Sequence, residues 1–258
     1  MPKEAVSPRA LEALKAPPLV EVICTIHHAP LPQLDPILIG AFWNTIRDAY
    51  PHHTLRPAIV EASLTGSEGA PPMRSWLISE GSERLLQFQR DRFIFNWRAI
   101  DTRYPRFSSP DGVLELTTRM FGEYRAFLKR EFAVVLAPSS VEVIKVDLLR
   151  QGLHWSSLSD AATMLPSLET LLRSEDETRW ALSLSNAWRQ RDCDLRLHLT
   201  AIATPGGTAL QMESSASTEA SENTLETSLR QANLAVNEVF SSLIPEPQRK
   251  MRFHGVQP

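Results

Sequence analysis

The chain has 258 residues, of which 43% are hydrophobic and 22% are charged. These values are typical of a globular protein with one large domain or two small ones. The formal net charge of −3 argues against a dedicated nucleic-acid binder, although a local basic face stays possible. The two cysteines, Cys24 and Cys193, lack metal-ligand spacing and suit small core residues in a reducing compartment. No run approaches the roughly 20 apolar residues of a membrane helix, so we expect a soluble, cytoplasmic protein.

The first part of the chain predicts a strand, a helix and a second strand. Residues 1–18 are rich in Pro and Ala and predict a loose lead-in. Alternating β-branched residues predict a strand over Leu19–His28. Asp35 is placed as the N-cap of a helix, with Pro36 at its first position. The sequence predicts a further strand over Ala58–Leu64.

An antiparallel meander follows. Gly81 and Ser82 separate two strand-like segments and predict a hairpin, and a third strand runs over Phe93–Trp97. Leu86 and Phe88 differ in parity from the aromatic residues of that third strand. A turn or bulge near Arg90–Arg92 would bring both sets onto one face of the sheet.

The remainder of the chain alternates helices and strands. A helix capped by Ser109 comes first, followed by a strand over Val141–Leu149 and a helix capped by Asp160. Three antiparallel strands with turns at Asp192 and Gly206–Gly207 come next, and a final helix from Leu225 stops at Pro245. The apolar stripe of the first of these helices comprises Val113, Leu116, Met120, Phe121, Tyr124, Phe127 and Leu128.

The element order repeats along the chain. Residues 19–138 and 139–258 each give a strand, a helix, several antiparallel strands and a long helix. The sequence therefore predicts an α+β fold, with a mainly antiparallel sheet, helices packed on one side and two similar halves in one pseudo-twofold unit. In element order alone this resembles the saddle of the TATA-box-binding protein and the helix-grip folds, whose sheets leave one face open or curled around a cavity.

No catalytic or metal-binding motif stands out. The chain has ten glycines, and none forms a phosphate-binding loop or a dinucleotide-binding pattern. The pairs His27–His28 and His52–His53 are adjacent in sequence, which points their side chains to opposite faces of a strand and prevents chelation. For His198 we favour an exposed or hydrogen-bonded strand histidine over a catalytic one. We therefore predict no enzyme activity, no metal and no cofactor.

The segment Arg84–Arg106 is locally basic and rich in aromatic residues. It holds six of the 27 Lys and Arg residues against Asp91 and Asp101, a local balance of 6 − 2 = +4. Such a segment suits base stacking or phosphate and carboxylate binding. It equally suits a hairpin with an aromatic core face, which we favour for Phe93 and its parity partners. The predicted ligand or partner-binding residues are Arg90, Arg92, Asn96, Arg98, Arg103, Tyr104 and Arg106.

The same segment carries a family resemblance. The stretches "RLLQFQRDRFIFNWR" and "YPRF", with "APPLVEVICTIHH" and "VNEVFSSLIP" on either side, resemble a sporadically distributed bacterial family of proteins of unknown function. The residues at its motif positions are Gln87, Gln89, Arg92, Phe95, Asn96, Trp97 and Tyr104. The resemblance implies no established reaction, cofactor or catalytic residue. Its patchy distribution fits mobile genes such as those for phage defence or toxin control.

Three functional hypotheses follow, and an enzyme is a fourth, least favoured alternative. The first is a non-enzymatic binding or adaptor protein, within a bacterial conflict system, that uses the sheet face near Arg90–Arg106. The second is a small-molecule or lipid carrier of helix-grip type, and the third is a nucleic-acid or nucleotide binder that uses an Arg/aromatic sheet face. A homodimer is compatible with the sequence, which does not itself indicate one.

Overall fold

A computed structural model describes residues 14–31, 34–59, 73–100, 106–172 and 181–253. Within these ranges the chain forms an α+β fold around one antiparallel sheet of nine strands. The strands are β1 (Leu19–His28), β2 (His52–Pro57), β3 (Met73–Ile78), β4 (Arg84–Gln89), β5 (Arg92–Arg98), β6 (Pro138–Arg150), β7 (Ser183–Gln190), β8 (Cys193–Thr204) and β9 (Gly207–Glu219).

The strand order across the sheet is β2-β3-β4-β5-β1-β6-β9-β8-β7. Strands β1 and β6 are neighbours at the centre, with Ile23 opposite Ile144. The meander β2–β5 extends the sheet on one side of this pair, and β7–β9 extend it on the other. We call β1–β5 the first half of the sheet and β6–β9 the second half.

Within the described ranges six α-helices accompany this sheet, and the first, second and fifth contact the same face of it. They are α1 (Pro36–Ile46), α2 (Val113–Phe132), α3 (Leu158–Met164), α4 (Glu169–Leu172), α5 (Leu225–Leu243) and α6 (Glu246–Phe253), with a 3-10 turn at Pro166–Leu168 between α3 and α4. Among the described residues, no helix combines the length and apolar character that crossing a membrane requires.

Aromatic rings join the helices to the first half of the sheet. Phe42 of α1 lies 5.5 Å from Phe88 and 5.2 Å from Tyr124, measured between ring centroids. Phe88 and Phe93 flank the two-residue turn between β4 and β5 and are cross-strand partners, 5.5 Å apart. The predicted turn near Arg90–Arg92 is thus confirmed, because it brings both aromatic sets onto the helix-covered face.

A small polar group is buried within the otherwise apolar layer beneath the second half. Lys145 and Asp147 of β6 are both buried on the helix-covered face. The ammonium of Lys145 donates to Asn237 of α5 at 2.6 Å and lies 5.9 Å from the Phe107 ring. Burial raises the pKa of the Asp147 carboxyl, and the charge of Lys145 opposes that rise.

The structure corrects several predicted boundaries. The second strand is His52–Pro57, and Ala58 and Ile59 follow it without strand structure. The other residues of that predicted strand lie outside the described ranges. The prediction chose Ala58–Leu64 because its apolar residues alternate. Strand β2 is an almost fully exposed edge strand and shows no such alternation.

The predicted N-caps of two helices are wrong. Ser109 lies in a tight turn, and α2 begins at Val113 after Gly112. A Cβ at Gly112 would lie 2.2 Å from the Arg106 carbonyl oxygen, so the close approach of the two backbone segments fixes this start. Helix α3 is capped by Ser157, and the Asp160 carboxylate instead pairs with Arg252 of α6.

Two further elements depart from the prediction. Pro166 divides the predicted helix after Asp160 into α3, a 3-10 turn and α4, because proline removes a backbone donor. Helix α6, which follows Pro245, was not predicted; it is anchored by Phe253, whose ring centroid lies 6.0 Å from that of Phe240.

Candidate functional site

The helix-free face of the sheet is the candidate site. It carries every second residue of each strand, and cross-strand partners align into transverse rows. One row runs from Ile94 through Thr25 and Glu142 to Ser217, and the next runs from Asn96 through Ile23 and Ile144 to Ser215. Side chains from both halves of the sheet therefore share this surface.

On strands β4 and β5 of the first half, the helix-free face is largely buried. Leu85, Ile94 and Asn96 are 1%, 2% and 3% exposed. The Gln87 amide donates to Asn96 at 2.6 Å, and the Asn96 amide donates to Glu21 of β1 at 2.8 Å. This relay ties three strands together through side chains, so Asn96 has a structural role on a face that the sequence left open to solvent.

Arg92 also has a structural partner on this face. Its guanidinium donates two hydrogen bonds to the Asp91 carboxylate, at 3.0 Å and 2.7 Å. Gln89 contributes a second link, since its amide donates to Asp91 at 3.0 Å and makes two hydrogen bonds with the backbone of Ile59. The Arg92 hydrogen bonds and charge lower the pKa of Asp91 against the opposing effect of burial.

The predicted site residues do not form a single cluster. Arg92, Asn96 and Arg98 share the helix-free face, as their common parity predicts, and no residue in the described ranges bonds to the buried Nε of Arg98. Arg90 is exposed in the β4–β5 turn. Arg106 precedes Phe107, whose ring faces Lys145 on the helix-covered side. Arg103 and Tyr104 lie outside the described residues.

A groove of about 520 Å³ lies near the middle of the helix-free face and extends onto the second half. We call it the central groove. Its lining comprises Ile59, Arg92, Glu142, Ile144, Ser185, Asn186, Ala187, Arg196, Leu197, His198, Glu213 and Ser215. Most of these residues belong to β5, β6, β7, β8 and β9, so the groove crosses from the first half of the sheet to the second.

Opposite charges meet inside the central groove. Burial raises the pKa of Glu142, and nearby Glu213 adds to this rise. A hydrogen bond with Ser215 and the positive charges of Arg196 and Arg92 act in the opposite direction. Arg196 is exposed. Because no ion pair between described residues engages Arg196, its guanidinium can meet a ligand without first breaking one.

His198 lies in the central groove between two hydroxyl groups. Its Nδ1 lies 2.7 Å from the Ser185 hydroxyl, and its Nε2 lies 2.6 Å from the Thr200 hydroxyl. An acid–base triad needs a carboxylate that orients the imidazole. In the described part of the chain no carboxylate bonds to this ring, so the arrangement suits hydrogen bonding to a ligand better than activation of Ser185.

The residues of the central groove were mostly missed from the sequence. One signal was available, because β8 alternates strictly between apolar residues and the polar series Asp194, Arg196, His198 and Thr200. That alternation marks a solvated face with mixed charge. It did not identify Glu142 and Glu213, since only the strand order β6-β9-β8 places them beside this series.

Within the described ranges, no three His, Cys, Asp or Glu residues are arranged to hold a metal ion. Comparison of the chain with models of protein families and with curated proteins gave no match. The geometry and charges of the helix-free face therefore carry the functional argument.

Proposed function

We propose that the protein is a non-enzymatic binding or adaptor protein that holds its partner in the central groove. The observation that carries this proposal is the two-sided character of the sheet: helices cover one face, and the other presents the groove. Strands from both halves contribute charged and hydroxyl side chains there, as expected of a rigid platform for a polar ligand.

The chemistry of the groove favours a polar segment of a protein partner. Glu142 and Glu213 supply acceptors, and Arg196 supplies donors that a partner carboxylate or backbone carbonyl can use. His198 and Ser185 can exchange their mutual hydrogen bond for one to the partner. Specificity would then come from matching charges on both sides of the groove.

We further propose that the fold arose by duplication of a strand–helix–meander–helix unit. The order β5-β1-β6-β9 places the first strand of each unit at the centre and the last strand of each unit beside it. In such a duplicated sheet the two units meet at the β1–β6 pair, and the central groove lies next to this junction. The resemblance to a patchily distributed bacterial family supports a partner from a phage-defence or toxin-control system.

The test is partner capture with matched charge variants. The tagged wild-type chain, an Arg196→Glu/Glu213→Arg variant and an Arg130→Glu control are each used to purify partners from the native host. Arg130 is exposed on α2 and pairs with Glu131, away from the groove. We expect one protein to co-purify with the wild type and with the control. The recovered amount of that protein should fall at least about tenfold with the groove variant.

Binding of the purified partner should show the same ranking in a calorimetric titration. Enrichment of one protein to an equal degree by all three chains would contradict the groove as the site. Turnover of a substrate that depends on Ser185 and His198 would replace the binding hypothesis with an enzymatic one.

A further inference from the structure

Two arginines face each other at one edge of the helix-free face. Arg56 of β2 and Arg74 of β3 are direct cross-strand partners. Like charges placed opposite each other on one face destabilise a sheet. Among the described residues no carboxylate forms an ion pair with either guanidinium, and the Asp91 carboxylate pairs with Arg92. This edge therefore concentrates positive charge without a protein counterion.

Both arginines contact the ring of Trp76. The guanidinium carbon of Arg56 is 5.1 Å from the Trp76 ring centroid, and that of Arg74 is 5.3 Å away. A guanidinium can contact an aromatic ring and still donate hydrogen bonds from its N–H edge. The Trp76 contacts thus hold both arginines in place and leave donors for a ligand.

Several polar atoms here are buried, and none has a hydrogen-bond partner among the described residues. They include Nε of Arg74 and the indole Nε1 of Trp76. The side-chain oxygen of Gln87, the cross-strand partner of Trp76, is also without one. Buried donors without acceptors are costly, and their grouping beside two unpaired arginines is the arrangement that an oxyanion satisfies. Burial, together with the charges of Arg92 and Arg56, lowers the pKa of Arg74.

We infer that Arg56, Arg74 and Trp76 form a binding site for a phosphate group. Two guanidiniums supply forked donors that match phosphate oxygens, and the indole N–H supplies another. The unpaired oxygen of Gln87 can accept a hydrogen bond from a phosphate hydroxyl or from a neighbouring group of a phosphorylated small molecule. A dianion would also relieve the repulsion between the two arginines, so phosphate is favoured over a single carboxylate.

The inference is independent of the central groove, whose lining does not include Arg56, Arg74 or Trp76. An Arg196→Glu/Glu213→Arg variant should therefore lose the protein partner and keep phosphate binding. Failure of either proposal is thereby distinguishable from failure of the other.

The test titrates inorganic phosphate into the full chain at constant ionic strength, with calorimetry and tryptophan fluorescence as readouts. We expect one saturable site with a dissociation constant of about 1 mM or tighter, and a fluorescence change that Trp76→Phe removes. Arg74→Gln and Arg56→Gln should each weaken binding at least about tenfold. Arg189→Gln, on the exposed strand at the opposite edge of the sheet, is the matched control and should bind like the wild type.

Two further arms identify the phosphate source. Adenosine monophosphate binding at least about tenfold tighter than inorganic phosphate would support a site for a phosphorylated small molecule, and equal affinities would support a site for the free ion. Arg56→Lys keeps the charge and the fold but loses the forked donor, so partial weakening is expected. Absence of saturable binding, binding unchanged in Arg74→Gln, or acetate binding as tightly as phosphate would overturn the inference.

Discussion

The two halves of the sheet use the same helix-free face in opposite ways. In the first half, Leu85, Ile94 and Asn96 are buried there, and the Gln87–Asn96–Glu21 relay satisfies polar groups internally. In the second half, the corresponding side chains of β7 and the polar series of β8 are exposed or half-buried. Strands β4 and β5 of the first half thus stabilise the sheet with both of their faces, while the second half presents one face to a ligand.

The contrast continues beneath the sheet. The helix-covered side of the first half is a cluster of aromatic rings around Phe88, Phe93 and Tyr124. Beneath the second half lies the polar group formed by Lys145, Asp147 and Asn237. Structural rigidity and sensitivity to pH should therefore be distributed unequally between the halves.

The largest expected effect compares two isoleucines on the helix-free face. Ile94→Ala removes a fully buried side chain in the first half and should lower the free energy of unfolding by about 2–5 kcal/mol. Ile144→Ala changes a half-buried side chain at the edge of the central groove. It should lower the free energy of unfolding clearly less than Ile94→Ala, because water already reaches that site. Urea denaturation of both variants measures the difference, and equal losses would show that the two halves are equally buried in solution.

The second effect concerns the pH dependence of stability in the polar group. Because burial raises the pKa of Asp147, the folded chain keeps this proton at pH values where the unfolded chain has lost it. The free energy of unfolding should therefore fall as pH rises above the ordinary carboxyl pKa near 4, by about 1.4 kcal/mol per pH unit from this group, until the raised folded-state pKa is passed.

Asp147→Asn removes this contribution. As pH rises from about 4 towards neutral, the unfolding free energy of the wild type should fall relative to that of Asp147→Asn. Asp194→Asn makes the same chemical change at an exposed carboxyl on β8 and is the matched control. Parallel pH profiles for the wild type and Asp147→Asn would contradict a raised Asp147 pKa.

A smaller effect tests the side-chain relay of the first half. Asn96→Ala leaves the Gln87 amide and the Glu21 carboxylate without a partner and should cost about 1–3 kcal/mol. Ser185→Ala removes one hydrogen bond on the exposed side of the second half and should cost less than about 1 kcal/mol. Thermal and urea denaturation measure the loss of unfolding free energy in each variant. A larger loss for Ser185→Ala than for Asn96→Ala would show that the relay is only a surface feature.

The smallest effect separates binding from stability. Arg196→Ala removes an exposed side chain of the central groove that makes no ion pair within the described part of the chain, and should change the unfolding free energy by no more than about 0.5 kcal/mol. Partner affinity, by contrast, should fall at least about tenfold. A large loss of stability with unchanged affinity would give Arg196 a structural role and remove the groove from the proposal.

Local patterns predicted most of the sheet. Strand β1 has its predicted bounds, and the β3–β5 meander, the three strands β7–β9 and the apolar stripe of α2 all lie where alternation and helical spacing placed them. The Asp35 cap of α1 is confirmed, whereas edge strand β2, the caps of α2 and α3 and the whole of α6 were missed. The pairing of β2 and the position of α6 depend on contacts between segments that are distant in sequence, such as the Arg252–Asp160 ion pair, and no local pattern encodes them.

The sequence by itself determined which residues of each strand share a face, because side chains alternate with a fixed period of two. That was enough to place Phe93, Phe95 and Trp97 in the core and to group Arg92, Asn96 and Arg98 on the opposite face. Only the tertiary structure decided which parts of that opposite face are buried. It also brought Arg56, Trp76 and Arg74 together, and placed Glu142 and Glu213 beside Arg196, because strand order and the burial of a face follow from pairings between distant segments.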